Sequence, residues 1–188
     1  LESSSAASDV YKRQEYYEKS PSARELLEPP MRDLQLDTLA GVLDGSILVQ
    51  NHCYRADEMA MMIEMSHEFN YQITAFHHAV EAYKIADLLA DEGICGALWA
   101  DWWGFKHEAY DMVPANIAIV DQARGGTGCA IVHSDDEVGI QHLNQEAAKA
   151  LIAGIRAGYD ISKARAMRWI TSNPAIAAGI FDQTGSIE

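Results

Sequence analysis

The chain has 188 residues, of which 48% are apolar and 22% are charged, an ordinary composition for a globular protein. Its 28 acidic and 14 basic side chains leave a formal net charge of −14, which argues against a nucleic-acid-binding protein and against attachment to an anionic membrane surface. No apolar run approaches the roughly 18 residues that a membrane-spanning helix requires.

The N-terminal stretch, residues 1–14, is polar and lacks the apolar core of a signal peptide. Residues 4–14 read SSAASDVYKRQ, which resembles the translation of a transposase-type sequencing-library adapter. We therefore expect residues 1–14 to be non-native and the natural gene product to be longer. The localisation, cytoplasmic or periplasmic, stays open because the natural N-terminus is then missing.

Strands and helices alternate over the rest of the chain. The predicted elements, in chain order, are a helix at 34–43, a strand at 46–51, a helix at 57–69, a strand at 72–76, a helix at 80–90, a strand at 94–100, a helix from Pro114 through Val120, a turn at 124–128, a strand at 129–133, and helices at 138–157, at 162–170 and from Asn173. Short apolar strands separated by helices are typical of a parallel sheet covered on both faces, so the predicted fold class is α/β.

The three cysteines, Cys53, Cys95 and Cys129, are widely separated in the sequence. They are too few and too scattered for a disulfide framework or for a cysteine-rich zinc site. We expect them to be small residues of the core.

Metal-ligand side chains follow three of the predicted strands. His52 comes after the first, His78 after the second and Asp135 after the fourth. The carboxyl ends of parallel strands meet at one rim, where active sites form. A single histidine at a strand end is more often structural. Two imidazoles and a carboxylate at equivalent places instead favour a divalent transition-metal site, with zinc as the first choice.

Around these residues the sequence resembles the metal-dependent amidohydrolase superfamily, in particular the imidazolonepropionase-like amidohydrolases. The matching segments are NHCYRADE at 51–58, HAVEAYK at 78–84, HSD at 133–135, TSNPA at 171–175, GI at 179–180 and GSIE at 185–188. Their order and spacing agree with the family over roughly residues 31–188.

The resemblance implies a partial (β/α)8 TIM barrel. Residues 15–175 would supply strands five to eight with their helices, and residues 176–188 would begin the return to a small β domain. The chain would then be a fragment, cut at both ends, and inactive by itself. Half a barrel also leaves apolar edge strands open, so we expect poor solubility.

The family's site residues transfer onto three positions. His52 and His78 match metal ligands, with His77 as the alternative to His78, and Asp135 matches the carboxylate that binds the metal and acts as acid and base. The site would take one or two divalent ions, with zinc expected. Its remaining ligands, a His-x-His pair on strand one and a bridging residue on strand four, would lie in the missing N-terminal half.

The implied reaction is hydrolysis of a non-peptide C–N bond, in an amide or a cyclic amide, by metal-activated water. Zinc lowers the pKa of bound water from about 15.7 to about 7, and Asp135 would move the proton. His133 lies two residues earlier on the same face, and it is assigned either to the substrate or to support of the metal. Asp136 and Glu137 are expected to start the following helix, where negative charge is favourable.

Three further residues are predicted to contact a small-molecule substrate. Trp102 and Trp103 follow the third strand, in a loop that shapes specificity in such barrels, although packing is the alternative. Tyr54 stands where relatives often have a second histidine, so the substrate of a relative does not transfer to this chain. A homo-oligomer is compatible with this interpretation.

Two other functions stay open at this point. A prolidase-like peptidase of the same superfamily would use the same half-site. A non-catalytic α/β ligand-binding domain is the alternative from a different class, and such a domain has no reason to retain zinc.

Overall fold

A computed structural model describes residues 5–187 of the chain. Its elements, in chain order, are α1 (Ser5–Glu18), α2 (Pro21–Arg24), α3 (Leu34–Leu43), β1 (Val49–Cys53), α4 (Ala56–Phe69), β2 (Ile73–His78), α5 (Ala86–Asp91), β3 (Cys95–Leu98), α6 (Asn116–Gly126), β4 (Cys129–Val132), α7 (Leu143–Arg156), α8 (Lys163–Arg168) and α9 (Ser172–Ala177). Short 3₁₀ helices lie at Ala82–Lys84, His107–Ala109 and Gly139–His142. Within residues 5–187, no helix has both the length and the apolar character to cross a bilayer.

The chain divides into two compact units. Among residues 5–187, the first comprises residues 5–48 and 67–72, and the second comprises residues 49–66 and 73–187. In the first unit α1 packs against α3. The α3 helix begins at Asp33, whose side chain accepts hydrogen bonds from the backbone N–H groups of Gln35 and Leu36. The α1 helix covers a stretch without apolar periodicity, which the sequence pattern did not predict as helical.

The second unit is built on a parallel sheet with the strand order β1-β2-β3-β4. All four predicted strands are present, and the α/β class is confirmed. The β1 and β2 strands run further than predicted, because their pairing continues to the partners Cys53 and His78. His52, His77 and His78 therefore lie in strands, whereas the sequence placed them just beyond.

Burial explains the short apolar strands. Every residue of β3 is buried, and helices α5, α6 and α7 pack against β3 or β4. Trp169, Phe76 and Met59 are among the largest side chains that are completely buried. The predicted helices at 80–90 and 138–157 are interrupted. Non-helical backbone at Ile85 separates a 3₁₀ turn from α5, and non-helical backbone at His142 separates another 3₁₀ turn from α7.

The predicted turn at 124–128 is confirmed. Arg124, Gly125 and Gly126 have positive φ angles of 50°, 73° and 92°, so the helical path of α6 ends before them. A Cβ atom at Gly128 would collide with the backbone carbonyl of Val120. Glycine is therefore required where the chain enters β4.

Two of the cysteines are not the separate core residues that the sequence indicated. Cys95 and Cys129 are register partners at the first positions of β3 and β4, with their Cα atoms 4.5 Å apart, and they form a disulfide. Cys53 is a free thiol and is buried, as expected. The correction arises because the strand register brings together two residues that are 34 positions apart in sequence.

The edge of β4 away from β3 is bound by helical segments. The Asn173 side chain, itself 2% exposed, donates a hydrogen bond from Nδ2 to the carbonyl of Ala130 at 2.7 Å. The backbone N–H of Val132 donates to the carbonyl of Trp169 at 3.0 Å. The TSNPA segment at 171–175 thus helps to fix the strand that leads into His133 and Asp135.

Candidate metal centre

The β2 strand ends in an unusual backbone conformation at His78. His78 and Ala79 have φ angles of 68° and 35°. This is the left-handed region of the backbone, which residues other than glycine rarely adopt. Backbone hydrogen bonds run from Ala79 N–H to the Cys53 carbonyl (2.9 Å) and from Glu81 N–H to the Tyr54 carbonyl (3.1 Å). The chain therefore turns sharply at His78 while staying bound to the end of β1.

Three metal-ligand side chains meet at the carboxyl end of the sheet. His78 Nδ1 lies 3.0 Å from His133 Nε2 and 3.2 Å from an Asp135 carboxylate oxygen, and His133 Nε2 lies 3.6 Å from the other Asp135 oxygen. One ligand atom from each residue falls within 4.8 Å of the others. Two imidazole nitrogens and a carboxylate oxygen are a donor set that suits zinc, so these three residues fit a divalent metal.

The predicted ligand His52 lies beside this cluster. It is exposed, and its ring centroid is 4.5 Å from that of His78 in an edge-on arrangement. The structure brings His78 and Asp135 together with His133, which the sequence had assigned to the substrate or to a supporting role. Which of His52 and His133 completes the ligand set stays a prediction.

His77 and His78 have different partners. His77 Nε2 lies 2.7 Å from Gln50 Oε1, and the centroid of its ring is 6.3 Å from that of His78. His78 is 9% exposed and contacts Asp135 directly. These contacts favour His78 over His77 as the ligand from β2.

Burial keeps the imidazoles of the cluster neutral. It lowers the pKa of His78 to about 4 and that of His133 to about 4, against the opposing attraction of Asp135. Burial also lowers the pKa of His77. Because the neutral imidazole is the form that binds a metal, His78 and His133 are ready to act as ligands at neutral pH.

Asp135 differs from the neighbouring carboxylate in its contacts. The Asp135 side chain is 43% exposed and faces both histidines of the cluster. Asp136 instead accepts a hydrogen bond from the backbone N–H of Gly139 at 2.5 Å, at the start of a 3₁₀ helix. This contact agrees with the expectation that Asp136 begins the following helical segment.

Aromatic rings form one wall of the site. Tyr54, 7% exposed, stacks on His78 with ring centroids 5.2 Å apart, and buried Trp99 stacks on His133 at 5.9 Å. Trp102 extends this wall from Trp99 at 5.6 Å, and its side chain is 38% exposed. Of the predicted substrate contacts, Tyr54 therefore adjoins the metal-ligand cluster directly, and Trp102 is joined to it through Trp99.

Phe105 and Lys106 lie in the segment after β3, near Trp102, and the sequence analysis did not predict them as site residues. The Lys106 Nζ atom lies 4.1 Å from the centre of the Tyr54 ring, and Phe105 contacts Trp99 at 5.7 Å between ring centroids. Hydrogen bonding to Tyr54 raises the pKa of Lys106. Trp103, predicted with Trp102, is 47% exposed. The sequence did contain a signal for these residues, because Lys106 follows several aromatic residues in the segment after β3.

Two proteins that are similar to the chain are both named as amidohydrolases. The chain is 30% identical over 161 residues to the amidohydrolase tasK of Hapsidospora irregularis. The matched region covers 83% of this chain but only 16% of tasK. It also resembles the crystal structure of an amidohydrolase from Thermotoga maritima MSB8, with a TM-score of 0.71 and 27% identity over 96% of this chain and 45% of that one. No family model matches the sequence.

These similarities relate the chain to proteins that are named as amidohydrolases. The parallel four-stranded sheet is consistent with part of a TIM-barrel-like amidohydrolase fold. The chain spans less than half of the solved relative and about a sixth of the curated one.

Proposed function

We propose that the chain is the C-terminal half of the barrel, strands five to eight, of an imidazolonepropionase-like, metal-dependent amidohydrolase. The longer protein would cleave a non-peptide C–N bond in a small-molecule amide or cyclic amide. The observation that carries the proposal is the convergence of His78, His133 and Asp135 at the carboxyl ends of parallel strands. It occurs in a chain that is similar to two proteins named as amidohydrolases.

His78 and Asp135 are the proposed core of a zinc site. Both the resemblance to the family and the contacts in the structure support these two residues. The third ligand is either His133, which the distances favour, or His52, which the resemblance implies. When bound, zinc would activate a water molecule and polarise the scissile carbonyl.

Asp135 is the proposed general base and acid. Its carboxylate reaches the cluster but is also partly open to solvent, so it can accept a proton from the attacking water. The same group would then deliver the proton to the leaving nitrogen. A positioned carboxylate in this role typically contributes about 10²–10⁴-fold to the rate.

The aromatic wall is the proposed substrate-binding surface. The Tyr54 ring lies next to the cluster and Trp102 extends the wall from Trp99, and loops at the carboxyl end of such barrels shape specificity. A substrate with an apolar or flat group next to the scissile bond would fit this wall. His133, if it is not a ligand, would contact the carbonyl oxygen of the substrate.

Zinc content and a substrate panel test the proposal. We expect the longer natural protein to purify with zinc or another divalent metal, and replacement of His78 by alanine to remove it. The longer protein should hydrolyse amides or cyclic amides in a panel that also contains dipeptides and phosphoesters, while the isolated chain is inactive. A longer protein that retains no divalent metal would contradict the metal site and favour the binding-domain alternative. Selective dipeptide cleavage would favour the prolidase-like peptidase.

A further inference from the structure

The segment at 78–83, named here the β2 loop, begins at His78. Neither His78 nor Ala79 is a glycine, yet both have positive φ angles. Such conformations persist only where surrounding contacts hold them in place. The β2 loop therefore needs partners that compensate for its backbone.

Asn116 supplies those contacts from another part of the chain. It is the first residue of α6 and is 1% exposed. Its Nδ2 donates hydrogen bonds to the carbonyls of Ala79 (3.1 Å) and Val80 (3.2 Å), and its Oδ1 accepts one from the backbone N–H of Tyr83 at 2.9 Å. One buried side chain thus binds three backbone groups of the β2 loop.

These bonds are costly to lose, because a buried carbonyl or N–H group without a partner carries its full desolvation penalty. The amide of asparagine has two donor hydrogens and an acceptor oxygen, and Asn116 uses both kinds of group. An aspartate has the same shape but offers no donor to the carbonyls of Ala79 and Val80.

We infer that Asn116 is a positioning residue: it holds the β2 loop in the left-handed conformation that directs the His78 imidazole toward His133 and Asp135. Asn116 acts only through the backbone of the β2 loop. The consequence for metal binding rests on the proposed function, because it requires that His78 be a ligand. The conformational part can be measured without any metal.

The test replaces Asn116 by aspartate in the longer natural protein. Zinc affinity, measured by titration, should fall by about 10–100-fold, the range typical of residues that orient metal ligands. In the metal-free protein, hydrogen exchange at the Ala79 and Glu81 amides should become faster, because these groups bond to the end of β1 only while the loop keeps its shape.

Ser66→Ala is the control. Ser66 is also buried, at 4% exposure, and its hydroxyl donates to a backbone carbonyl, that of Ile63 in α4. This variant should lose stability but keep its zinc affinity and its exchange rates in the β2 loop. Equal losses of zinc affinity in the two variants would show a general destabilisation and overturn the inference.

A rescue variant separates positioning from packing. Glycine adopts positive φ without a steric penalty, so Ala79→Gly added to Asn116→Asp should recover part of the zinc affinity. Absence of any recovery would contradict the proposed mechanism. Should Asn116→Asp fail to fold, Asn116→Ser, which retains one donor, takes its place in the same comparisons.

The outcomes for the two proposals are distinguishable. Unchanged exchange in the β2 loop of the Asn116 variant overturns the positioning role, whether or not zinc binds. A longer wild-type protein that binds no zinc, together with faster exchange in the variant, instead overturns the metal site and leaves the control of the loop intact.

Discussion

The two ends of the sheet use the same strands in opposite ways. At the amino ends of β3 and β4, Cys95 and Cys129 form a disulfide beside small buried residues such as Ala75 and Ala97. At the carboxyl ends, the strands continue into three polar residues, of which His78 is buried, His133 half-buried and Asp135 exposed.

The difference lies in how each end is held. The amino end is fixed by a covalent bond and by apolar packing, whereas the carboxyl end depends on hydrogen bonds to a strained loop and on ring stacking. Since β3 has four residues, the two ends are only about 13 Å apart at the usual rise per residue of a strand. The comparison predicts that changes at the carboxyl end alter chemistry, and that changes at the amino end alter stability.

The largest effect is expected from Asp135→Asn in the longer natural protein. The amide keeps the size of the side chain and one oxygen but cannot act as a base, so hydrolysis should fall by at least about 10²-fold. The rate should be measured at saturating zinc, so that loss of metal is not mistaken for loss of proton transfer. Asp136→Asn is the control, and similar small effects of the two changes would exclude Asp135 as the catalytic carboxylate.

A second comparison uses the neighbouring histidines of β2. His78→Ala should lower zinc affinity by more than the roughly 10–100-fold that supporting residues contribute, because it removes a ligand. His77→Ala should have little effect, since His77 bonds to Gln50. Zinc titration of both variants measures the two losses of affinity. A larger loss in His77→Ala than in His78→Ala would make His77 the ligand from β2.

The disulfide is the corresponding test at the amino end. Replacing Cys95 and Cys129 together by alanine should lower the free energy of unfolding by about 2–4 kcal/mol, as expected for the loss of a cross-link that closes a loop of this length. Urea denaturation measures the change. Zinc affinity should stay at the wild-type level, and a parallel loss of zinc binding would show that the two ends are coupled.

The last test concerns pH. The pKa values of His78 and His133 are lowered from 6.5 to about 4 in the folded chain, so the unfolded chain binds protons first as the pH falls. Stability of the metal-free protein should be complete above pH 6.5 and should decrease toward pH 4. Urea denaturation across this range tests it. The double variant His78→Gln, His133→Gln should show a shallower slope, and an unchanged slope would refute the assignment.

The strands and the helix order could be predicted from the sequence because short apolar runs alternate with helical periods. The polar ends of β1 and β2 could not be predicted from the sequence, because His52 and His77 belong to strands only through their pairing with each other. The disulfide was likewise hidden, because it depends on the register of β3 against β4.

At the site, the strand-end rule selected His78 and Asp135, and the structure brings these two side chains into contact. The place of His133 depends on side-chain rotation, which residue spacing does not determine. The contact of Asn116 with the β2 loop could not be recognised from the sequence, because an asparagine shortly after Pro114 also suits the start of a helix. Its role becomes visible only when α6 packs beside the β2 loop.

The hydrogen bonds along the outer side of β4 bear on self-association. A free strand edge is a template for pairing with another chain, and proteins avoid this by covering or interrupting it. Asn173 and the Trp169 carbonyl already occupy two backbone groups of β4, so an incoming strand would have to displace them. Among residues 5–187, β1 pairs with β2 alone and has no second strand neighbour. The hazard of edge-to-edge aggregation is therefore unequal, and gatekeeper charges intended to improve solubility belong on β1 rather than on β4.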